Sequence, residues 1–111
     1  MNVYDTANNL AAEIKKSEEY VNYKMAKEAI SLNQNLKEKI KKFEEARYDA
    51  QITAMQTGKN DEEKIKKMQE LYVELIQDDV AKKYFNAETK FNILIADINK
   101  IIGDAIADVI K

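Results

Sequence analysis

VAKKYFNAETKFNILIADINKIIGDAI, which is residues 80–106, is the stretch that decides the expected fold. Apolar or aromatic residues recur there at alternating spacings of four and three: Val80, Tyr84, Ala87, Phe91, Leu94, Ile98, Ile101 and Ala105. This is the spacing of a heptad repeat, which places all of these side chains along one side of an α-helix. The neighbouring residues Phe85, Ile95, Ile102 and Ile106 widen this apolar stripe on one side. The pattern predicts a long C-terminal helix with a broad apolar face.

The length of this helix suggests self-association. At ~1.5 Å per residue, a helix from Val80 to Ile110 is about 46 Å long, whereas a compact domain of this size is roughly 35 Å across. The apolar stripe continues to Val109 and Ile110, so either Gly103 bends the end back or a second chain covers it. We favour the second chain. The residues expected to form the core and the dimer contact are Tyr84, Phe91, Leu94, Ile98, Ile101 and Ile102.

The rest of the chain also indicates helices. Proline is absent and there are only two glycines, Gly58 and Gly103, so the residues that most often break helices are nearly missing. Gly58 is expected to end the third helix in a left-handed conformation. Helix starts are expected at polar capping residues, which in chain order are Asp5 or Thr6, Ser17, Asn33 or Asn35, Asn60 or Asp61, and Asp78 or Asp79. We therefore predict an all-α, antiparallel, dimeric bundle of about four to five helices, forming one domain over residues 1–111.

Composition excludes several kinds of chemistry. The chain has no cysteine and no histidine, which removes disulfides, thiolate nucleophiles, Cys/His metal sites and histidine-based catalysis. Asp97, Asp104 and Asp108 share roughly one face of the last helix, and a hard cation could be bound there. A solvated face neutralised by Lys100 is the preferred interpretation. We expect no enzymatic activity, no metal and no cofactor.

Positive charge is spread through the chain, with one local concentration. The 18 basic residues are outnumbered by 20 acidic ones, and Arg47 is the single arginine. Such a balance does not favour direct binding of nucleic acid. The possible contacts with a partner are Arg47, Lys41 and Lys42. An alternative is an RNA-associated role that uses Lys37, Lys39, Lys41, Lys42 and Arg47. The simpler interpretation is an exposed helix surface on which glutamates alternate with these basic residues.

Nothing in the sequence indicates a membrane protein. The first residues contain no basic region followed by an apolar stretch, so we expect no signal peptide here. The longest apolar-rich run without charge, residues 91–96, is far shorter than the ~20 residues that span a bilayer. We expect a cytoplasmic protein without membrane insertion.

Several short stretches resemble a known family. They are Val3-Tyr4-Asp5-x-Ala7-x-x-Leu10, Ser17-Glu18-Glu19-Tyr20, Tyr84-Phe85-x-Ala87-Glu88 and Leu94-x-Ala96-Asp97-Ile98-x-x-Ile101-Ile102. These stretches resemble the YlbF/YmcA family of small bacterial helical proteins. Because the chain lacks cysteine, it is most similar to the cysteine-free YheA-like branch of that family. The resemblance implies an all-α bundle that dimerises or assembles further, with no catalytic residues.

The same resemblance implies a regulatory function. Better-studied members of this family act in competence, sporulation and biofilm development, in a complex that influences a phosphorelay and the specificity of mRNA decay. Some of them use cysteines to hold iron–sulfur clusters, and this sequence has no cysteine. We therefore expect a non-enzymatic adaptor or regulatory protein that is a homodimer and binds further proteins. The alternative is an RNA-associated accessory factor.

Overall fold

A computed structural model describes residues 2–110, all of whose regular structure is α-helical. Its five helices are α1 (Val3–Lys16), α2 (Glu18–Ser31), α3 (Gln34–Thr57), α4 (Glu62–Leu75) and α5 (Asp79–Ile110). The described residues contain no β-strand. The predictions of an all-α fold, of about four to five helices and of a long C-terminal helix are confirmed.

The first helix begins earlier than the sequence suggested. Asn2 is the N-terminal cap of α1, and its side-chain oxygen accepts a hydrogen bond of 2.9 Å from the backbone N–H of Asp5. The prediction that Asp5 or Thr6 caps this helix is therefore wrong. The physical reason is that asparagine and aspartate are about equally good caps, and the earlier asparagine leaves Val3 and Tyr4 inside the helix.

The other predicted helix ends are confirmed. Ser17 separates α1 from α2, and its hydroxyl accepts a hydrogen bond from the N–H of Tyr20. Asn33, Asp61 and Asp78 play the same role at the next three helix starts. Gly58 ends α3 with φ of 73°, a left-handed conformation that glycine adopts without the steric cost of a Cβ.

One compact unit comprises residues 27–84 and contains the hairpin of α3 and α4. Its buried apolar residues are Ile30, Leu36, Ile40, Phe43, Ala50, Leu75, Ala81 and Tyr84. The ring of Phe43 lies 5.7 Å from that of Tyr72 on the facing helix. The hydroxyl of Tyr84, near the start of α5, donates a hydrogen bond of 3.2 Å to a carboxylate oxygen of Glu44 on α3.

A second compact unit comprises the described residues 2–26 and 85–110. It contains α1, most of α2 and most of α5. An aromatic cluster joins α2 to α5, because the ring of Phe91 lies 6.1 Å from Tyr20 and 5.4 Å from Tyr23. The Tyr23 hydroxyl also donates a hydrogen bond of 3.5 Å to Glu88. The helix α5 continues through Gly103 to Ile110, so this glycine does not end it.

Candidate interaction site

The six residues expected to form the core and dimer contact differ widely in burial. Tyr84 is buried, and Phe91, Leu94 and Ile98 are half-buried. Ile101 and Ile102 are exposed, with 68% and 49% of their surface accessible to solvent. The same heptad stripe therefore passes from a covered part to an uncovered part along α5.

The uncovered part of α5 is an apolar surface at the C-terminal end of this helix. We call it the α5 terminal patch, and its members are Ile101, Ile102, Ile106, Val109 and Ile110. Each of them is at least 45% exposed. Single exposed aliphatic residues are ordinary on protein surfaces, but a contiguous group is typical of a protein–protein contact or another binding surface.

Charged residues occupy the opposite side of the same helical segment. At ~100° per residue, Asp97, Lys100 and Asp104 point away from the middle of the α5 terminal patch. Lys100 and Asp104 form an exposed ion pair of 2.9 Å. Because one side is charged and the other aliphatic, this segment is amphipathic without a protein neighbour on most of its aliphatic side.

The basic residues of α3 do not share a single face. Lys37 and Lys41 are four residues apart and lie on one side of the helix, whereas Lys39 and Lys42 point to another side. Lys39 forms an ion pair of 3.6 Å with Glu74 of α4. The guanidinium carbon of Arg47 lies 5.2 Å from the centre of the Phe43 ring, which places this cation over the buried apolar cluster of α3 and α4.

A groove runs along one side of the α3–α4 hairpin. It is open to solvent, has a volume of about 580 Å³ and is lined by Lys42, Glu45, Ala46, Asp49, Lys64, Lys67 and Leu71. The ammonium of Lys64 is 3.1 Å from Asp49 and donates a hydrogen bond of 2.7 Å to the hydroxyl of Thr53. Of the three sequence-predicted partner contacts, Lys42 lies in this groove, and Lys41 and Arg47 do not line it.

The sequence pattern does not predict this groove. The signal that points to it is the spacing of Lys42, Ala46 and Asp49 on α3 and of Lys64, Lys67 and Leu71 on α4, each of which defines one helix side. The pairing of these two sides depends on the register of the hairpin, which the sequence pattern alone does not specify.

Two further features of residues 2–110 are the arrangement of possible metal ligands and the apolar length of the helices. Within residues 2–110, no group of three or more acidic side chains is arranged to hold a metal ion. The same part of the chain contains no helix that is both long and apolar enough to cross a membrane.

Comparison with known proteins identifies the family of the chain. Residues 3–107 match the model of the YlbF/YmcA family, which is described as control of the competence regulator ComK. The protein belongs to the YlbF/YmcA family. The match covers nearly the whole chain, so the resemblance inferred from the short stretches of sequence is confirmed.

Individual relatives in this family are bacterial UPF0342 proteins. The chain is 32% identical to one from Desulfitobacterium hafniense, over 99% of its own length and 89% of the relative's. It is also 32% identical to relatives from Caldicellulosiruptor bescii, over 95% and 88% of the two chains, and from Clostridium novyi, over 97% and 95%. The names of the family and of these relatives describe no enzymatic activity.

Proposed function

We propose that this member of the YlbF/YmcA family is a non-enzymatic adaptor or regulatory protein of the cytoplasm, which acts as a homodimer and binds further proteins. The observation that carries this proposal is the α5 terminal patch, with its five exposed aliphatic side chains. The description of the family as control of a competence regulator supports a regulatory role.

The size of the patch is suitable for association of two copies. Complete burial of one aliphatic side chain contributes roughly 1.5–3 kcal/mol, and these residues are already partly covered, so we take about 1–2 kcal/mol for each. A two-fold symmetric contact uses the same patch on both copies. The sum is on the order of 10–20 kcal/mol, which is comparable to or larger than the ~4–15 kcal/mol cost of association.

The proposed dimer is tested by placing a charge in the patch. Ile101→Asp introduces a carboxylate at a position that is 68% exposed in the single chain, so the variant should keep its helical structure. In the proposed interface, however, the unpaired charge loses its water, at a cost large enough to prevent association. Ala96→Asp is the matched control, because Ala96 is an exposed residue of the same helix that points about 140° away from Ile101.

Mass measured by size-exclusion chromatography with light scattering distinguishes the outcomes, with circular dichroism as the check on folding. We expect the parent and Ala96→Asp to have twice the chain mass of 12.8 kDa, and Ile101→Asp to be a helical monomer. A parent protein that is monomeric over the accessible concentrations contradicts the homodimer. A dimeric Ile101→Asp variant contradicts the assignment of the interface to this patch.

The alternative of an RNA-associated factor receives less support from the geometry. A basic surface for a nucleic acid backbone requires cations on one continuous face. The lysines of α3 point to different sides of the helix, Lys39 has a carboxylate partner in Glu74, and Arg47 lies over Phe43. These contacts favour the protein-binding function.

A further inference from the structure

The register of the α3–α4 hairpin follows from two ion pairs that bridge its helices. Lys39 of α3 pairs with Glu74 of α4, and Asp49 of α3 pairs with Lys64 of α4. In an antiparallel pair of helices, residue numbers increase along one helix while they decrease along the other. The numbers of two residues that face each other therefore add up to the same total everywhere along the pair. Both ion pairs have the same sum, which fixes the register between them.

This register shows which residues face each other in the middle of the groove. Lys42 of α3 faces Leu71 of α4, and Ala46 of α3 faces Lys67 of α4; all four line the groove. Among the lining residues, Asp49 and Lys64 are paired with each other, whereas Lys42 and Lys67 each have an aliphatic residue opposite them in this register. Neither Lys42 nor Lys67 takes part in any ion pair found among residues 2–110.

The middle of the groove thus combines two cations with an apolar lining. Ala46 and Leu71 are half-buried, and Lys42 and Lys67 are exposed. The two lysines belong to different helices and stand about 6 Å apart along the helix axes, at ~1.5 Å per residue. The volume of about 580 Å³ is in the range of sites that hold a ligand the size of a few side chains.

We infer that this groove binds an acidic segment of a partner protein, with carboxylates against Lys42 and Lys67 and an aliphatic side chain against Ala46 and Leu71. The inference rests on the proposed protein-binding function and names the chemistry of the partner. Opposite charge on the partner supplies the two ion pairs that this hairpin lacks, and the aliphatic contact adds burial of apolar surface.

The remaining groups of the groove favour a polypeptide over a nucleic acid. Glu45 and Asp49 also line it, and they repel a phosphate backbone, which is charged at every nucleotide, whereas a polypeptide can place uncharged residues next to them. A protein segment also presents backbone N–H groups, which can donate hydrogen bonds to these carboxylates. Arginine, which gives forked contacts to phosphates, is absent from the lining residues.

The test uses a fluorescein-labelled peptide of alternating glutamate and leucine, with fluorescence anisotropy read at low and at physiological salt. The matching lysine–leucine peptide and a labelled oligouridine are the comparison probes. The groove variant is Lys42→Gln with Lys67→Gln. Its control, Lys41→Gln with Lys66→Gln, removes the same charge from exposed neighbours that do not line the groove.

We expect the parent and the control variant to bind the acidic peptide, and the groove variant to bind it about five- to tenfold more weakly, since each exposed ion pair makes a small contribution. Ala46→Leu, which fills the groove without changing charge, should also weaken binding. The lysine–leucine peptide should not bind at the groove.

Four outcomes overturn the inference. They are no binding of the acidic peptide at low salt, an equal loss in the groove and control variants, oligouridine binding that depends on Lys42 and Lys67, and a lower mass of the groove variant in light scattering. The last would mean that a second copy occupies the groove. A dimeric parent that does not bind the acidic peptide counts against the groove alone, and a monomeric parent that does bind it counts against the homodimer alone.

Discussion

Removal of the Phe43 ring tests the packing of the α3–α4 hairpin. Phe43 is only 5% exposed, its ring lies 5.7 Å from that of Tyr72, and the Arg47 guanidinium lies above it at 5.2 Å. The variant Phe43→Ala therefore removes an apolar side chain, an aromatic pair and a cation–π contact at once. It also leaves a cavity between the two helices.

The expected loss of stability follows from these contacts. Burial of a phenylalanine side chain contributes roughly 1.5–3 kcal/mol, and the cavity raises the typical cost of Phe→Ala in a core to about 3–5 kcal/mol. The contact with Tyr72 adds ~0.5–1.5 kcal/mol and that with Arg47 ~0.5–1 kcal/mol. Because these contributions share the same ring and are not additive, we expect a decrease of about 3–5 kcal/mol in the free energy of unfolding.

Tyr48→Ala provides the matched control on the same helix. Tyr48 is 66% exposed, so removal of its ring should change the free energy of unfolding by no more than about 0.5 kcal/mol. Urea unfolding followed by circular dichroism at one fixed protein concentration measures both variants, since association would make stability depend on concentration. A loss below about 1 kcal/mol for Phe43→Ala, or an equal loss for Tyr48→Ala, refutes the packing described here.

Three further substitutions test local structure by the same measurement. Asn33→Ala should cost about 1 kcal/mol, because the Asn33 side chain accepts a 3.0 Å hydrogen bond from the N–H of Leu36 at the start of α3; no loss would argue against this cap. Gly58→Ala should destabilise by about 1 kcal/mol, since φ is 73° there. Gly103→Ala should instead stabilise by ~0.5–1 kcal/mol, because an added Cβ meets no atom within 4 Å in a regular helix. Equal signs for the two glycine variants would contradict these conformations.

The sequence was informative where a local rule decides the structure. The spacing of apolar residues over 80–106 predicted α5, because only a helix places positions three and four apart on one side. Ser17, Gly58, Asp61 and Asp78 marked helix ends for reasons of hydrogen bonding or backbone conformation that involve only a few neighbouring residues. At the first helix, Asn2 lies close to Asp5 and Thr6, and the local rule does not distinguish between such neighbouring caps.

The sequence was much less informative about which parts of a stripe are covered. Tyr84 and Ile101 occupy the same heptad stripe, yet the former is buried and the latter is 68% exposed. Periodicity specifies the side of the helix on which a residue lies, and it contains no information on whether another helix packs there. The aromatic contacts of Phe91 with Tyr20 and Tyr23 join residues far apart in the chain, so no local pattern reveals them.

The groove illustrates a different limit. Lys41 and Lys42 are adjacent and chemically identical, and the sequence predicts the same role for both, as possible partner contacts. In the structure only Lys42 lines the groove, because successive helical residues point about 100° apart. What distinguishes the two is the pairing of α3 with α4 in three dimensions, which the two ion pairs between these helices define.

The uneven burial of α5 separates folding from association along a single helix. Phe91 has ring contacts with α2, so truncation of its side chain removes contacts made within one chain and should lower the stability of the chain itself. Ile101 and Ile102 expose much of their surface, so their truncation removes little packing from the single chain and acts on any surface that covers them. Both kinds of residue belong to one apolar stripe, so membership of the stripe does not distinguish residues that stabilise the fold from residues that are available for association. The change in exposure along it is the feature that points to binding.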